Sequence, residues 1–572
     1  MCSKSLCGKN GKIKDFRPIT EIPTTFSVLE FEFSLPDIPE NLNVYKKQDV
    51  DISFAMVSKS GKVFKTSAFY FEEYEILEDM SLKAWGPDGR TNKAPCFRIR
   101  VKPTEEGVWT YTVTMKLEGV LVDMLSATIE VANSKKTSRL AIVEPKQRRV
   151  FATPDGKPFT LIGQNMGWND PATNKVGFAQ YIIEQMKSLH ANGANYIRIW
   201  DFIDSGARIK AAPNVMRQDS SAMWDLIFES ANELDFYIAF VYTPHCEATT
   251  GANARFVDSI WNVTRGGFIE NPADFFSNKQ CIEAFKNYVR YVISRFGCYE
   301  SVLCWELFNE IDFTNGVTEG RVDEVLAWVK EITEYTHSED PYGHLVSNST
   351  AYPNMVPAFA NYCDFIFYHQ YNPLSNSQIG ALLNTSHKSY NKPVVLGETG
   401  VEGSPKILNN KMSDDLLEFH QGCWSGLMGG GAGTGMHWWW ERIYKFGGHK
   451  AYNALKLLSD KIPYDDENLE FISTERIAFN NNRLGAMGYC GANYAYIWFF
   501  DNNYLPLTRE EEIEFVGETA TFAINNGKYC VEFIDTRTGK TVQKNETTVV
   551  DENITIDFPN WSKDIAVAIE EK

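Results

Sequence analysis

The chain has 572 residues, of which 44% are hydrophobic and 13% aromatic, and this is enough apolar material for several packed cores. Its 74 acidic and 56 basic residues give a net charge of −18, which argues against a nucleic acid or an anionic membrane as partner. The 11 cysteines are an odd number without a CxxC pair, so the sequence indicates neither a disulfide framework nor a zinc site.

The N-terminal residues show no targeting segment. The stretch MCSKSLCGKNGK lacks the apolar region of a signal peptide, and no run of 18 apolar residues occurs in the chain. We therefore expect a soluble protein, which is cytoplasmic if the chain begins here and secreted if a leader was removed.

The first part of the chain alternates apolar and polar side chains in the manner of antiparallel strands. This period of two is clearest in VDISFAMV from Val50, in FRIRV from Phe97 and in VWTYTVTM from Val108. Turn signals such as SGK, PDGR and EEG separate these segments. The pattern predicts an N-terminal β-sandwich over residues 1–145.

Between residues 146 and 466 the pattern changes to short apolar runs separated by amphipathic helices. One helix is clearly delimited, because Asn278 is a good N-cap residue and Gly297 a good stop. Eight buried strands alternating with helices predict a (β/α)8 barrel, that is, a TIM barrel. The predicted strands are 159–168, 195–200, 236–245, 302–310, 344–350, 365–371, 393–398 and 435–440.

After residue 467 the alternating pattern returns, for example in YAYIWFF from Tyr494, and a turn is expected at Asn525-Asn526-Gly527. We predict a smaller C-terminal β-sandwich over residues 467–572. The whole chain is thus expected to be multidomain, with a central barrel between two flanking β-sandwiches.

Polar side chains stand at the predicted C-terminal ends of six barrel strands, where barrel enzymes carry their active sites. Two of them are carboxylates, Glu310 in CWELFNEID and Glu398 in VVLGETG. Glycoside hydrolysis needs such a pair, because one carboxyl protonates the departing oxygen while the other attacks or activates water. The other strand ends carry Arg198, His245, Asn309, the segment YHQY at 368–371, and Trp438, Trp439 and Trp440.

The ordered set of these motifs resembles the clan A retaining glycoside hydrolases, especially family 5, over residues 150–455. The resemblance is carried by NYIRIW on strand two, WELFNE on strand four, HQY on strand six and VVLGETG on strand seven. It implies that Glu310 is the general acid/base and Glu398 the nucleophile. Thr399 departs from the family pattern, in which an aromatic residue commonly follows the nucleophile, and this leaves the sugar open.

The resemblance also implies roles for the neighbouring side chains. Asn309 would bond the sugar 2-hydroxyl group. Arg198 and Tyr371 would orient Glu398 and keep it ionised, because a cation and a hydroxyl donor both favour the charged form. His245 and His369 would line the −1 subsite, which binds the sugar ring under attack, and a tryptophan of strand eight would form its floor. The period of two places Trp438 and Trp440 on one face of that strand, and we expect this face to line the mouth.

Structural roles for some of these residues stay open on the sequence alone. Arg198 could instead pair with Glu306, and either histidine could be a buried structural residue. The opposite face of the last predicted strand carries Trp439. The segment GGGAGTG at 429–435 leads into a strand instead of following one, so it is not predicted to be a dinucleotide-binding loop.

We therefore expect a retaining β-glycoside hydrolase that cleaves a β-linked polysaccharide or its oligosaccharides, with β-mannan slightly favoured over β-glucan. An exo-acting β-glycosidase on short oligosaccharides, a non-hydrolytic carbohydrate-binding protein and a transglycosylase on the same barrel are the alternatives. The expected partner is a carbohydrate. Neither a metal nor another cofactor is expected, because the barrel mouth carries no zinc ligand set. The sequence leaves the linkage and the oligomeric state open.

Overall fold

The computed structural model describes residues 12–34, 38–169, 175–203, 207–371, 375–400, 416–504 and 512–572. Two compact units divide the chain. The first consists of Met1–Ala141, Gly167–Glu184 and Ile199–Asn348, and the second of Ile142–Met166, Gln185–Arg198 and Ser349–Lys572. The domain boundaries predicted near residues 145 and 466 stay predictions.

The first unit contains two four-stranded antiparallel sheets that share one hydrophobic core. Inward side chains from both sheets, such as Phe31, Phe54 and Trp109, pack in this core, as the alternating pattern predicts. One sheet pairs, in order, Lys14–Pro18, Leu29–Ser34, Cys96–Val101 and Phe69–Phe71, and the other pairs Val63–Ser67, Val50–Ser58, Gly107–Leu117 and Val120–Val131.

The first unit also contains three parallel strands, Tyr237–Val241, Val302–Glu306 and Leu345–Ser347, which pair in that order. The predicted helix is confirmed. It spans Lys279–Phe296, and the Asn278 side chain caps it by accepting from two backbone N–H groups at 2.9 and 3.1 Å. The other helices of this unit are Gln218–Glu233, Asn315–Thr318 and Val322–Glu339, and a hairpin pairs Lys210–Ala212 with Val215–Met216.

Short 3-10 helices fill several connections of the first unit. They are Gly86–Gly89, Lys175–Gly177, His245–Ala248, Phe256–Asp258, Val263–Arg265, Pro272–Phe276 and Ile311–Phe313. The unit boundaries fall within the helix Phe178–Ala191 and the strand Tyr196–Trp200.

The second unit contains further parallel strands. Gly163–Asn165 is the parallel part of the segment predicted at 159–168, and it pairs with Tyr196–Trp200. Three more parallel strands pair in the order Ser349–Thr350, Ile366–Gln370 and Val394–Thr399. A small antiparallel sheet pairs Pro158–Phe159, Phe151–Ala152 and Ile142–Val143.

The prediction of an eighth strand at 435–440 is wrong. Just before this segment, the backbone of Ala432 forms hydrogen bonds to two other parts of the chain. Its N–H donates to the Val394 carbonyl at 2.7 Å, and its carbonyl accepts from the Leu161 N–H at 3.0 Å. The segment nevertheless forms only isolated bridges, and Trp440 begins a helix instead of continuing a strand. The sheets of the described residues therefore do not show a closed barrel.

Close backbone packing explains the glycines of the segment 429–435. A side chain on Gly433 would meet the Leu161 carbonyl oxygen at 2.2 Å, and one on Gly435 would meet the Gly422 carbonyl oxygen at 2.3 Å. A Cβ atom at either position would clash with main chain that cannot move aside. These glycines are therefore required by packing.

The C-terminal part of the second unit contains antiparallel sheets around one core. The turn predicted at Asn525 does not close a hairpin, because Thr519–Ala523 belongs to a three-stranded sheet and Gly527–Ile534 to a six-stranded one. Phe522 and Val531 of the two sheets pack in the same core. The six-stranded sheet pairs, in order, Glu470–Ser473, Leu484–Gly491, Tyr494–Asp501, Asp564–Glu571, Gly527–Ile534 and Thr541–Val549. The three-stranded sheet pairs Ala478–Phe479, Thr519–Ala523 and Asn553–Asp557, and a two-stranded sheet pairs Glu514–Phe515 with Trp561–Ser562.

The remaining helices belong to the second unit. The α-helices are Val356–Phe359, Asn376–Tyr390, Leu417–Met428, Trp440–Lys445 and Tyr452–Ser459, and the 3-10 helices are Pro353–Met355, Ala360–Tyr362, Gly448–Ala451 and Thr474–Arg476. None of the helices in the described ranges has the length and apolar character that crossing a bilayer requires.

Candidate active site

Glu398 lies near the end of the strand Val394–Thr399, and its side chain is 3% exposed. Its Oε1 accepts from Arg198 Nη1 at 2.8 Å, and its Oε2 accepts from the Tyr371 hydroxyl at 2.5 Å. His369 Nδ1 lies 3.5 Å from the same Oε2. The second unit thus brings four predicted site residues together, and we call this group the Glu398 cluster.

A β-bulge aligns Glu398 with His369. The two strands pair Tyr368 with Leu396 and next His369 with Glu398, so Gly397 is an extra residue on its strand. Without the bulge, strict alternation would turn Glu398 to the opposite face of the sheet from His369. A side chain on Gly397 would meet His369 Nε2 at 3.2 Å. The bulge therefore turns Glu398 to the face of the sheet that carries His369, and Gly397 leaves room for the side chains of Phe367 and His369.

Arg198 is fully buried and contacts more than its ion-pair partner. Its Nη1 also donates to Asn165 Oδ1 at 3.2 Å, and its Nη2 donates to Ser349 Oγ at 3.3 Å. The guanidinium lies over the Phe367 ring, 5.4 Å from the ring centre. Asn165 and Ser349 were not predicted, because both stand beside other polar residues, in GQN and SNST, and neither belongs to a recognisable motif.

Glu310 adopts a left-handed backbone conformation, with φ 49° and ψ 53°. This conformation costs a non-glycine residue about 1–3 kcal/mol, and such strain is concentrated at functional sites. The Glu310 side chain is 9% exposed, and its Oε2 lies 3.2 Å from His245 Nδ1. Nothing in the sequence marks this conformation, since glycine or asparagine is the usual residue for it.

Backbone pairing beyond the strand ends brings His245 next to Asn309 in the first unit. The Asn309 N–H donates to the Thr243 carbonyl at 3.0 Å, and the His245 N–H donates to the Asn309 carbonyl at 3.0 Å. The His245 ring also contacts Phe313, with ring centres 5.3 Å apart. His245, Asn309 and Glu310 therefore form a second group of predicted residues, which we call the Glu310 cluster.

Trp438 and Trp440 do not lie on one face of a strand, because the helix begins at Trp440. Trp440 is fully buried, and its ring packs against the half-buried Trp438 with ring centres 5.3 Å apart. The Trp438 N–H donates to the Thr399 carbonyl at 3.0 Å, one residue beyond Glu398. That these two residues bind sugar stays a prediction.

His437, which was not predicted, is buried beside the end of the same strand. It forms a parallel bridge with Thr399, and its Nδ1 accepts from the Trp439 N–H at 3.3 Å. Burial lowers the pKa of His437 to about 3, so the imidazole is neutral at ordinary pH. The surrounding tryptophans mark an aromatic segment in the sequence, but no motif singles out this histidine.

The chain is similar in sequence to several mannan endo-1,4-β-mannosidases, although no family model matches it. Mannan endo-1,4-β-mannosidase 5 of Solanum lycopersicum is 22% identical over 191 residues, which are 31% of this chain and 45% of that protein. Mannan endo-1,4-β-mannosidase A of Hypocrea jecorina is 22% identical over 244 residues, which are 39% of this chain and 52% of that protein. The chain thus spans about half the length of these curated relatives.

A similar fold occurs in a crystal structure from Bacteroides vulgatus ATCC 8482 whose protein is provisionally assigned as a glycoside hydrolase. The match has a TM-score of 0.61 and covers 96% of this chain and 99% of that one at 16% identity. The fold is therefore consistent with a multidomain protein that contains a TIM barrel. Together, the sequence and structure comparisons confirm the predicted resemblance to glycoside hydrolases.

Proposed function

We propose that the protein is a retaining β-glycoside hydrolase in which Glu398 is the nucleophile and Glu310 the general acid/base. The Glu398 cluster is the observation that carries this proposal. A buried carboxylate near a strand end accepts one bond from the guanidinium of Arg198 and one from the hydroxyl of Tyr371. Both donors favour the charged form of the carboxyl group, which is the form that a nucleophile needs.

The first step of the proposed reaction forms a covalent intermediate. A carboxylate oxygen of Glu398 attacks the anomeric carbon, the bond from that carbon to the glycosidic oxygen breaks, and Glu310 gives this oxygen its proton. The products are a glycosyl ester on Glu398 and a free alcohol. His245, whose Nδ1 lies 3.2 Å from Glu310 Oε2, is placed to orient the acid.

The second step releases the sugar. Water attacks the anomeric carbon, Glu310 takes a proton from this water, and the ester bond to Glu398 breaks. The released carboxylate recovers its bonds from Arg198 and Tyr371. Each step inverts the anomeric centre, so the product keeps the β configuration of the substrate.

We further propose a complete (β/α)8 barrel with a β-sandwich before it and another after it in the chain, and with residues 432–438 in the place of the eighth strand. The backbone bonds from Ala432 to Val394 and to Leu161 support this placement. A double displacement requires both carboxyl groups at the same glycosidic bond. Retaining enzymes generally hold their two carboxyl groups about 5–5.5 Å apart, which leaves no room for a water between them.

We propose β-mannan as the substrate, because the sequence relatives are named mannan endo-1,4-β-mannosidases. β-Glucan is the second choice among polysaccharides. An exo-acting enzyme on short oligosaccharides and a transglycosylase would use the same residues. A carbohydrate-binding protein would keep the fold without the chemistry.

Hydrolysis of polysaccharides by the purified chain tests the proposed function. We expect reducing ends to appear from soluble β-1,4-mannan faster than from β-glucan or xylan, and Glu398→Gln to abolish this release. The sizes of the first products separate endo from exo action, and a mixture with excess mannotetraose reveals transfer. Binding of mannan without release of any sugar from mannan, glucan, xylan or aryl β-glycosides would overturn the proposal and favour a binding protein.

A further inference from the structure

We infer that Asn165 is a positioning residue for Glu398, an inference that rests on the proposed function. Asn165 is the last residue of the strand Gly163–Asn165 and is fully buried. Its Nδ2 donates to the Gly397 carbonyl at 3.0 Å and to the Met436 carbonyl at 3.2 Å, while its Oδ1 accepts from Arg198 Nη1 at 3.2 Å.

The partners of Asn165 fix the orientation of its amide group. Carbonyl oxygens only accept hydrogen bonds, and a guanidinium only donates them. A flipped amide would set Oδ1 against two carbonyl oxygens and the NH₂ group against the cation of Arg198. The asparagine is therefore matched to its site by chemistry as well as by size. An isosteric aspartate would place an oxygen against both carbonyl groups.

Asn165 forms hydrogen bonds with backbone groups next to Glu398, and these groups determine where the Glu398 carboxylate lies. Gly397 precedes Glu398 and is the extra residue of the bulge. The Met436 carbonyl, which accepts from Asn165, also accepts from the N–H of Thr399 at 2.9 Å. The backbone on both sides of Glu398 is thereby linked to one side chain.

The third hydrogen bond of Asn165 holds the guanidinium of Arg198. Arg198 Nη1 is shared between Asn165 Oδ1 at 3.2 Å and Glu398 Oε1 at 2.8 Å, so both acceptors hold the same nitrogen in place. A neutral acceptor can do this without competing for the positive charge. A carboxylate at position 165 would compete, and Glu398 would then lose part of the stabilisation of its charged form.

Titration of Glu398 tests this inference without any need for activity. Protein labelled with ¹³C at the glutamate carboxyl carbons gives the signal of Glu398 by difference from Glu398→Gln. We expect its titration midpoint to rise by about one unit or more in Asn165→Asp, since a second carboxylate now shares the guanidinium. Asn165→Ala, which adds no charge, should raise the midpoint by less, and it serves as the second variant if Asn165→Asp does not fold.

Asn195 provides a matched control within the same unit. Its Nδ2 donates to the Thr160 carbonyl at 2.8 Å, and its Oδ1 accepts from the Ile162 N–H at 2.8 Å. Like Asn165, Asn195 therefore donates its amide group to a main-chain carbonyl, but neither of these two bonds involves Arg198 or a residue next to Glu398. Asn195→Ala and Asn195→Asp should lower the melting temperature and leave the Glu398 midpoint unchanged.

Kinetics on soluble β-1,4-mannan gives the second readout. We expect kcat of Asn165→Ala to fall about 100-fold while KM changes less than about threefold, because the reacting carboxylate is misplaced and the sugar contacts remain. An unchanged Glu398 midpoint in folded Asn165→Asp and Asn165→Ala would overturn the positioning role. An inactive wild-type protein whose midpoint does shift in these variants would overturn the proposed function and keep the role of Asn165.

Discussion

Two buried carboxylates of this protein, Glu398 and Asp225, meet arginine in different ways. Glu398 accepts one bond from a guanidinium and one from a tyrosine hydroxyl. Asp225, on the helix Gln218–Glu233, accepts from two guanidiniums, with Arg100 Nη1 at 2.5 Å and Arg295 Nη2 at 2.6 Å. Arg100 also donates to Glu30 at 2.9 Å, and Glu30 accepts from Arg98 at 3.2 Å, so Asp225 belongs to an extended ion-pair network.

The difference indicates how a structural ion pair differs from the one for which we propose a function. Burial alone would raise the pKa of Asp225, but Arg100 and Arg295 outweigh this effect and hold the pKa below its ordinary value. In such a network the loss of one partner leaves a buried charge uncompensated, which destabilises the fold. For the Glu398 carboxylate, which accepts from one guanidinium and one hydroxyl near a strand end, we propose a role in the reaction instead.

Removing the carboxylate of Glu398 should have the largest effect on activity. We expect kcat of Glu398→Ala to fall on the order of 10⁵–10⁶-fold for every aryl β-glycoside, because no covalent intermediate can form. Steady-state kinetics with leaving groups of different acidity measures this. Asp225→Asn is the control and should keep kcat within about threefold. A Glu398→Ala protein that retained a tenth of the wild-type kcat would contradict the proposal that Glu398 is the nucleophile.

Removing the carboxylate of Asp225 should have the largest effect on stability. Asp225→Ala leaves Arg100 and Arg295 without their shared partner, which should cost about 3–5 kcal/mol of unfolding free energy. Urea unfolding measures this cost. Asp258, whose surface pair with Arg265 spans 2.6 Å, is the matched control, and Asp258→Ala should cost at most about 1 kcal/mol. Equal costs at the two sites would contradict the structural role of Asp225.

The stabilisation by Asp225 should also depend on pH. Because the folded pKa of Asp225 is lowered, its contribution is complete above the unfolded value of about 3.9 and is lost as the pH falls through the lower folded value. The difference in unfolding free energy between wild type and Asp225→Asn should therefore be constant from about pH 5 to 8 and shrink below about pH 4. A difference that grew on acidification would show the opposite sign of the shift.

The strand ends were predictable from the sequence because a short apolar run followed at once by polar residues is typical of a buried strand that ends at a surface. Glu310 and Glu398 could be found this way, and the helix that begins after Asn278 could be found from its cap and its apolar face. The bulge at Gly397 could not be predicted, since it depends on the register between two strands. Asn165 was missed because its partners are main-chain carbonyls and an arginine distant in the sequence.

The smallest predicted effect uses two glutamates with the same backbone conformation. Glu118 in a hairpin turn and Glu310 have φ values of 48° and 49°. Asparagine tolerates this region better than glutamate, so Glu118→Asn and Glu310→Asn should each raise the unfolding free energy by about 0.5–1 kcal/mol. Only Glu310→Asn should lose activity on mannan. Lower stability in both variants would contradict the assignment of strain to these two positions. Loss of activity in Glu118→Asn would contradict the expectation that, of these two glutamates, only Glu310 acts on the substrate.

The anomeric configuration of the product formed in the presence of azide tests the two-carboxylate mechanism most directly. Glu310→Ala should still form the intermediate from 2,4-dinitrophenyl β-mannoside, because this leaving group needs no proton, and then turn over slowly for lack of a base. Added azide should accelerate this turnover and yield the β-mannosyl azide. An α-mannosyl azide from Glu310→Ala, or azide rescue of Glu398→Ala to the β product, would contradict the assignment of the two glutamates.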